Sequence, residues 1–357
     1  MPLEEIRSQI DRIDDQLLAL LDERAALVHE VGEIKRAEGL EFYAPEREEA
    51  LLQKLIARNA ERGGKLTETS IRAIYREIMS AALALETNLN VAYLGPSGTW
   101  THQAAITKFG HSVTYSPQAN FTDVFEAVTR RRADYGVVPI ENSTEGAVSH
   151  TLDLFADSPL RICAQILLPI ENNLISNTPR GEIKRLYSHP QVFGQCREYL
   201  HRHFPNAELV EVSSTTRAAE LAAKEPGTAA LAGKLAAELY GLATLESSIQ
   251  DSATNTTRFL VLSHRTCPAT GNDRTSVMFA VKDRPGSLFE ALKPFNEFKI
   301  NMSKIESRPS KKRDWEYFFF VDVLGHCEDP KLVAALDELE KHCSFIKILG
   351  SYPNTAT

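Results

Sequence analysis

Ile6, Ile10, Ile13, Leu17, Leu20, Leu27, Val31 and Ile34 recur at alternating steps of four and three, a pattern that predicts a long helix with one packed or coiled seam. Residues 1–89 keep this helical character and hold no strand-like run. Pro45 suits a first helical turn, and Arg62-Gly63-Gly64-Lys65 is the clearest break. From Val91 to Ser263 the pattern changes to short apolar runs (VAYLG, YGVVPIEN, ICAQILLPI, LYSHP, LVEVS, ALAG, FLVLS) separated by helix-like stretches, which predicts an α/β domain with largely parallel strands. After the polar link His264 to Arg274, strands are expected over 275–283, 301–308, 315–324 and 345–350, with helices over 287–298 and 330–342. That βαββαβ order is a ferredoxin-like α+β module. The expected domains are therefore 1–89, 90–264 and 275–353.

One seam position breaks the pattern. The step from Leu20 to Leu27 passes through Arg24, where the period calls for an apolar residue. A buried guanidinium costs several kcal/mol unless a carboxylate meets it, so Arg24 needs an acid from the protein or from a ligand. An internal salt bridge is the simpler reading. Arg7 and Lys35 flank the same seam but lie about 42 Å apart along a straight helix at ~1.5 Å per residue, too far for one small ligand in one chain. Arg24 lies about 16 Å from Lys35 and about 25 Å from Arg7 on the same scale. If all three hold one dianion, Arg7 must come from the partner in an antiparallel helical dimer.

Length and charge narrow the possibilities. The 357 residues suit two or three domains, and 43% hydrophobic with 25% charged residues is an ordinary globular composition. A formal charge of −8 disfavours a duplex nucleic-acid binder, so an anionic ligand has to be met by local cations. No apolar run approaches the roughly 18 residues of a spanning helix. The opening MPLEEIRSQIDRIDD mixes charge with apolar residues, unlike a signal peptide, and a cytoplasmic location without membrane association is expected. The five cysteines are scattered with no CxxC pair, which suggests reduced thiols rather than disulfides or a zinc site. No metal or cofactor is expected.

VAYLGPSGTWTHQAA carries neither a dinucleotide nor a P-loop glycine pattern, which disfavours a nicotinamide enzyme. Hydroxyl and amide residues gather instead where strands hand over to helices: Ser97, Thr99 and Thr101; Asn142, Ser143 and Thr144; Ser188, His189 and Gln191; Ser213 to Thr216. Each cluster alone is explained by helix capping. Four on one domain suit a cleft that binds carboxylates through hydroxyls and amides.

The stretch IRSQIDRIDDQLLALLDERAALVHEVGEIK, followed by PEREEALL, resembles the all-helical chorismate mutases, intertwined dimers that rearrange chorismate to prephenate. The resemblance implies that Arg7, reaching across from the other subunit, and Arg24 hold the substrate carboxylates. It implies that Lys35 serves the ether oxygen and Glu48, beside Arg47, the ring hydroxyl. Three positions depart from a well-known member: Ala44 replaces an Asp, Ala82 a Ser, and Glu86 the Gln that donates to the ether oxygen. Only a protonated Glu86 can donate there. Such a pericyclic reaction needs no nucleophile, only a held conformer and cations facing the charge that grows on oxygen.

GPSGTWTHQAA, DYGVVPIENSTEGAV, YSHPQVFGQC and Thr257-Arg258-Phe259 resemble the prephenate dehydratases in sequence order. This implies two lobes of a periplasmic-binding-protein type around a cleft, and loss of carbon dioxide and the ring hydroxyl to give phenylpyruvate. Thr257 matches the essential threonine, while Thr99, Thr101, Glu141, Asn142, Ser143, His189, Gln191, Gln195 and Arg258 are further substrate-binding candidates. A threonine hydroxyl is too weak an acid to protonate a leaving hydroxide unaided, so a hydrogen-bond donor or relay role is inferred.

Asp283-Arg284-Pro285-Gly286-Ser287-Leu288 and Glu306-Ser307-Arg308-Pro309 resemble the ACT domains of phenylalanine-inhibited dehydratases, although Gly-Ala-Leu-Val of many relatives is Gly286-Ser287-Leu288-Phe289 here. The implied effector contacts are Gly286, Ser287, Leu288, Asn301, Glu306, Ser307 and Arg308. Together the resemblances imply a bifunctional enzyme of phenylalanine synthesis, with chorismate and prephenate as substrates, L-phenylalanine as effector, and a homodimer or higher homo-oligomer. The competing reading is a non-catalytic amino-acid sensor with a helical dimeriser. Arg7, Arg24, Lys35 and Glu48 together favour catalysis, because a dimeriser would gain stability from apolar residues in the seam. A mutase fused to a dehydrogenase lacks its dinucleotide fingerprint.

Overall fold

The structure is a computed structural model that describes residues 2–252, 254–310 and 316–354. It divides into two compact units, Met1–Asn90 with Phe109–Thr114, and Val91–Lys108 with Tyr115–Thr357. No helix among the described residues is long and apolar enough to cross a membrane.

The first unit is built on helices α1 (Leu3–Glu38), α2 (Pro45–Glu61) and α3 (Glu68–Glu86). The chain stops α1 at Gly39, whose φ of 65° is one that glycine tolerates without cost and whose N–H returns to the Lys35 carbonyl. Pro45 opens α2, and the Thr67 hydroxyl caps α3 by accepting from the Ser70 N–H. Gly32 is the one buried residue of α1, and a Cβ there would lie 3.2 Å from Glu86 Cα. That close approach brings Lys35, one turn further on, within reach of Glu86. The N-terminal half of α1 is different: Ile10, Ile13, Leu17 and Leu20 are 49–61% exposed, so its apolar seam finds no cover within the chain.

In the second unit, one lobe contains β1 (Asn90–Leu94), α4 (Trp100–Phe109), β2 (Thr114–Gln118), α5 (Phe121–Thr129), β3 (Tyr135–Asn142), β4 (Gly146–Ala147), α6 (Ser149–Phe155) and β5 (Arg161–Pro169). The chain then crosses to a second lobe of β6 (Asn173–Ile175), β7 (Arg185–Ser188), α7 (Pro190–Gln195), α8 (Arg197–His203), β8 (Glu208–Glu211), α9 (Thr215–Lys224), β9 (Thr228–Ala232), α10 (Lys234–Tyr240) and β10 (Thr244–Glu246). It returns as β11 (Thr256–Ser263), which inserts between β3 and β5 in the order β2-β1-β3-β11-β5, while the other sheet runs β10-β6-β9-β7-β8. The sheets are mixed rather than largely parallel. β1 and β3, and β7 with both β8 and β9, are parallel, whereas β11 is antiparallel to both neighbours and β6 to β9 and β10. Strands reached from the other lobe need no helical crossover, so nothing obliges them to run parallel.

The C-terminal module of this unit has the expected order: β12 (Asp273–Val281), α11 (Ser287–Glu297), β13 (Met302–Pro309), β14 (Tyr317–Leu324), α12 (Pro330–His342) and β15 (Cys343–Pro353). Trp315, where the third strand was expected to begin, lies outside the described residues. The antiparallel sheet runs β13-β14-β12-β15. Phe279, Val321 and Val323 pack on Leu332 and Leu339 of α12. The opposite face, with Met278, Phe320 and Tyr352, shares a core with Ile140, Phe155 and Leu260 of the first lobe. Both faces are covered, which explains continuous apolar runs instead of alternation.

Docking is close at Gly350, where an added Cβ would lie 2.2 Å from the Ile162 carbonyl oxygen. Backbone cannot yield as a flexible side chain can. Gly350→Ala should therefore destabilise the folded protein by about 1–3 kcal/mol, read as a lower denaturant midpoint. An unchanged midpoint would contradict this account of the docking.

Candidate active sites

In the helical unit, a cavity of about 120 Å³ is bordered by Arg24 and Lys35 from α1, Arg47 and Glu48 from α2, and Glu86 from α3. Lys35 Nζ donates to Glu86 Oε2 at 2.6 Å and to the Phe42 carbonyl at 2.9 Å. Arg36 donates to the Glu86 carbonyl at 2.9 Å, tying the end of α3 to α1. The half-buried Arg24 has no ion-pair or hydrogen-bond partner among the described residues, so the simpler reading of an internal salt bridge is not what the chain adopts. Ala44 and Ala82 both border the cavity and leave room where longer polar side chains would reach in. Arg7, exposed on the uncovered part of α1, does not border it.

Sequence reasoning passed over Arg76 of α3. Burial pulls its guanidinium below the ordinary range, and the nearby Glu48 carboxylate opposes that shift. It falls outside the seam and outside every quoted motif, so only packing reveals it.

The second candidate site is organised by strand pairing. Asn142 and Thr257 face each other across β3 and β11. Asn142 Oδ1 accepts from the backbone N–H groups of Thr144 and Glu145, at 3.0 and 3.1 Å, and from the Thr144 hydroxyl at 2.6 Å. A backbone N–H can only donate, so the amide orientation is fixed with Nδ2 turned the other way. Nδ2 donates to Thr257 Oγ1 and to Asn255 Oδ1, both at 2.7 Å. Thr257 oxygen therefore accepts, and its hydroxyl proton has no acceptor among the described residues.

Asn255 borders a cavity of about 630 Å³ together with Thr144, Glu145, His189, Gln191, Gln195 and the crossing segment Gln250–Ser252. With its oxygen engaged by Asn142, Asn255 has its amide Nδ2 left to donate. Sequence reasoning missed Asn255, although strand alternation places it on the side of Thr257, two residues on. The His189 ring caps α7, Nδ1 accepting from the Gln191 N–H at 3.3 Å. Gln195 accepts from buried Asn172 at 3.2 Å, adding a further amide to one wall.

Other candidates lie elsewhere. The Thr99 hydroxyl donates to the Leu94 carbonyl at 2.8 Å and accepts from the His102 N–H, an ordinary helix start, and neither Thr99 nor buried Thr101 borders the cavity. Ser143 clamps a turn, donating to the Thr254 carbonyl and accepting from the Thr256 N–H. Arg258 is 7% exposed, and its donors go to Gln165, Asp322 and Tyr352. Burial opposes its charge, but Tyr352 and Asp322 outweigh this and hold the guanidinium above its ordinary range. Glu141, opposite Arg258, pairs with Lys304 at 2.8 Å. Alternation turns both away from the Asn142–Thr257 side.

In the C-terminal module, Gly286 adopts a φ of 84° at the start of α11, and the Ser287 hydroxyl accepts from Arg284 Nε at 3.2 Å, with Leu288 against the core. The register Arg308–Phe318–Ala280 places Glu306, Ser307 and Arg308 at the same end of the sheet as the Gly286 turn. Asn301 lies at the other end, its carbonyl accepting from the Leu324 N–H. Arg308 Nε also donates to Asp153 of α6 at 3.3 Å.

Family models match three consecutive stretches: Chorismate mutase type II over residues 6–87, Prephenate dehydratase over 91–267 and ACT domain over 275–341. The fold and sites thus define a two-activity enzyme with an ACT module. The chain is 46% identical over 98% of its length to a bifunctional chorismate mutase/prephenate dehydratase of Aquifex aeolicus, of which it covers 98%. It belongs to the family of bifunctional chorismate mutase/prephenate dehydratases. Among solved structures, the prephenate dehydratase of Arthrobacter aurescens in complex with L-Phe matches 74% of this chain and 90% of its own, at 35% identity and a TM-score of 0.70. A protein described as a novel type of quorum quenching acylase matches 74% of this chain and 98% of its own, at 30% identity and a TM-score of 0.69. The scaffold is thus similar to those of proteins described with different activities, and chemistry has to be argued from the site.

Proposed function

We propose that the chain rearranges chorismate to prephenate in the helical cavity, converts prephenate to phenylpyruvate beside Thr257, and is restrained in the second step by L-phenylalanine bound to the ACT module. The domains act over residues 1–89, 90–264 and 275–353, in the cytoplasm. In the first step Arg24 and the partner's Arg7 hold the two substrate carboxylates. Lys35 faces the ether oxygen as its C–O bond breaks, and Glu48 holds the ring hydroxyl. Glu86, which accepts from Lys35 in the free protein, orients that ammonium. A dimer supplies Arg7 and covers the apolar seam, each buried Leu or Ile contributing about 1.5–3 kcal/mol.

In the second step the electron pair of the C–CO₂ bond enters the ring as carbon dioxide leaves. Aromatisation expels the ring hydroxyl, which takes up a proton drawn from solvent through the Thr257 hydroxyl as relay and departs as water, so that prephenate and one proton give phenylpyruvate, carbon dioxide and water. The observation that carries this reading is the fixed amide of Asn142. It occupies the Thr257 oxygen as acceptor, so the Thr257 proton is the part left to meet the leaving oxygen. Asn255, His189, Gln191 and Gln195 offer donors for the substrate carboxylates around the cavity. That a similar dehydratase was solved with L-Phe supports phenylalanine as effector. Gly286, Ser287, Leu288, Glu306, Ser307 and Arg308 form its site, and Asn301, at the other end of the sheet, joins it from a second copy.

Purified protein given chorismate alone should accumulate phenylpyruvate, and added L-phenylalanine should slow prephenate consumption more than chorismate consumption. Chorismate loss that halts at prephenate would refute the dehydratase reading. Equal inhibition of both steps would refute the placement of the effector's action.

A further inference from the structure

We propose that Lys304 and Asp322, both on the ACT sheet, are positioning residues for the dehydratase step, which rests on the reading of Thr257 as the dehydratase residue. Two neighbouring rungs join β3 to β11: Asn142 opposite Thr257, and Glu141 opposite Arg258. The first carries the proposed dehydratase residue and reaches the cavity through the Asn142–Asn255 hydrogen bond, and the second faces the ACT sheet. Just beyond them the register shifts between Arg258 and Phe259, so a regular hydrogen-bond ladder does not by itself determine where these last rungs sit. Side chains must supply the rest of the constraint.

Those side chains come mainly from the ACT module. Arg258 Nη1 donates to Asp322 Oδ2 at 2.5 Å and Nη2 to the Tyr352 hydroxyl at 2.7 Å, while Nε donates within its own lobe to Gln165 at 3.0 Å. Ser276 donates to the second Asp322 oxygen at 2.5 Å and shares a 2.7 Å hydrogen bond with Tyr352, and Arg274 lies 3.9 Å from Asp322. On the other strand, Lys304 Nζ meets Glu141 Oε1 at 2.8 Å, and Arg258 lies 3.8 Å from the second oxygen. Asp322 and Arg258 are both buried, so their pair cannot be exchanged for water without a large cost. A displacement of β13 or β14 must therefore move Glu141 and Arg258, and with them the adjacent Asn142–Thr257 hydrogen bond.

Lys304 also shares a strand face with Glu306 and Arg308, in the segment read as part of the effector site. A ligand drawing on that end of β13 acts on the strand from which Lys304 holds Glu141. Reaction rates depend steeply on such placement, an error near 1 Å costing about 10²-fold.

In the full-length protein, Lys304→Met should lower the dehydratase kcat about tenfold, leave KM and the mutase rate near their parent values, and weaken inhibition by L-phenylalanine while calorimetry still detects its binding. Lys304→Arg should restore most of the kcat. Unchanged kcat and inhibition in Lys304→Met would overturn the proposal, as would a loss that Lys304→Arg fails to restore or one matched by a lower melting temperature. Thr257→Ala separates the two readings. If it keeps full dehydratase activity, the site assignment fails; if it is inactive while Lys304→Met behaves as parent, only the positioning role fails.

Discussion

Thr257→Ala is expected to lower prephenate turnover by about 10²–10⁴-fold while chorismate consumption stays near the parent rate. The alanine removes the hydroxyl proton proposed to meet the leaving oxygen and leaves Asn142 Nδ2 without one of its two acceptors. The fold should survive, because Thr257 sits in β11 between β3 and β5, whose backbone pairing does not depend on the side chain. Thr257→Ser, which keeps the hydroxyl, should recover a large part of the rate. Separate assays of chorismate loss and phenylpyruvate formation check both statements. Equal loss of both activities in a folded protein would mean that the chemistry is not divided as proposed.

Arg7→Ala and Arg24→Ala proteins should each lose about 10²–10³-fold in mutase rate, yet regain activity when unfolded together and reassembled. In a mixed dimer one site receives both defects and the other receives neither. Statistical reassembly should thus return about a quarter of the parent activity. The large effect follows from charge: Arg24 has no ion-pair or hydrogen-bond partner among the described residues, so a substrate carboxylate is its proposed counter-ion, and Arg7 stands about 25 Å of helix away. Mixed dimers verified by mass and lacking recovered activity would rule out a site shared between chains.

How much was legible depended on the range of the signal. The long first helix, the proline start of α2 and the βαββαβ order of the last module all follow from local periodicity and capping. The grouping of Lys35, Glu48 and Glu86 around one cavity was approachable through the resemblance to chorismate mutases, but the 2.6 Å pairing of Lys35 with Glu86 was not, since it rests on the approach of α1 to α3 at Gly32. Thr99 and Thr101 show the opposite case. Both sit in a motif that reads as binding chemistry, yet Thr99 is engaged by its helix start and Thr101 is buried.

The sequence by itself pointed to the helical character of the first segment, to β1, β3, β5, β7, β8, β9 and β11 but not to β2, β4, β6 or β10, to the βαββαβ order of the last module, and to which residue types could meet dianionic substrates. These properties live within a few residues of one another, where a side chain's preference for a period, a cap or a turn acts directly. Only the tertiary structure decided that β11 returns between β3 and β5 antiparallel to both, that Asn142 turns its amide nitrogen towards Thr257, and that Arg258, inside a motif read as substrate-binding, points instead at Asp322 and Tyr352. The physical reason is that partners separated by tens or hundreds of residues are chosen by burial and register. A one-residue change of register turns a strand's side chains to the opposite face. In this chain that parity sends Thr257 to one side of β11 and its neighbour Arg258 to the other.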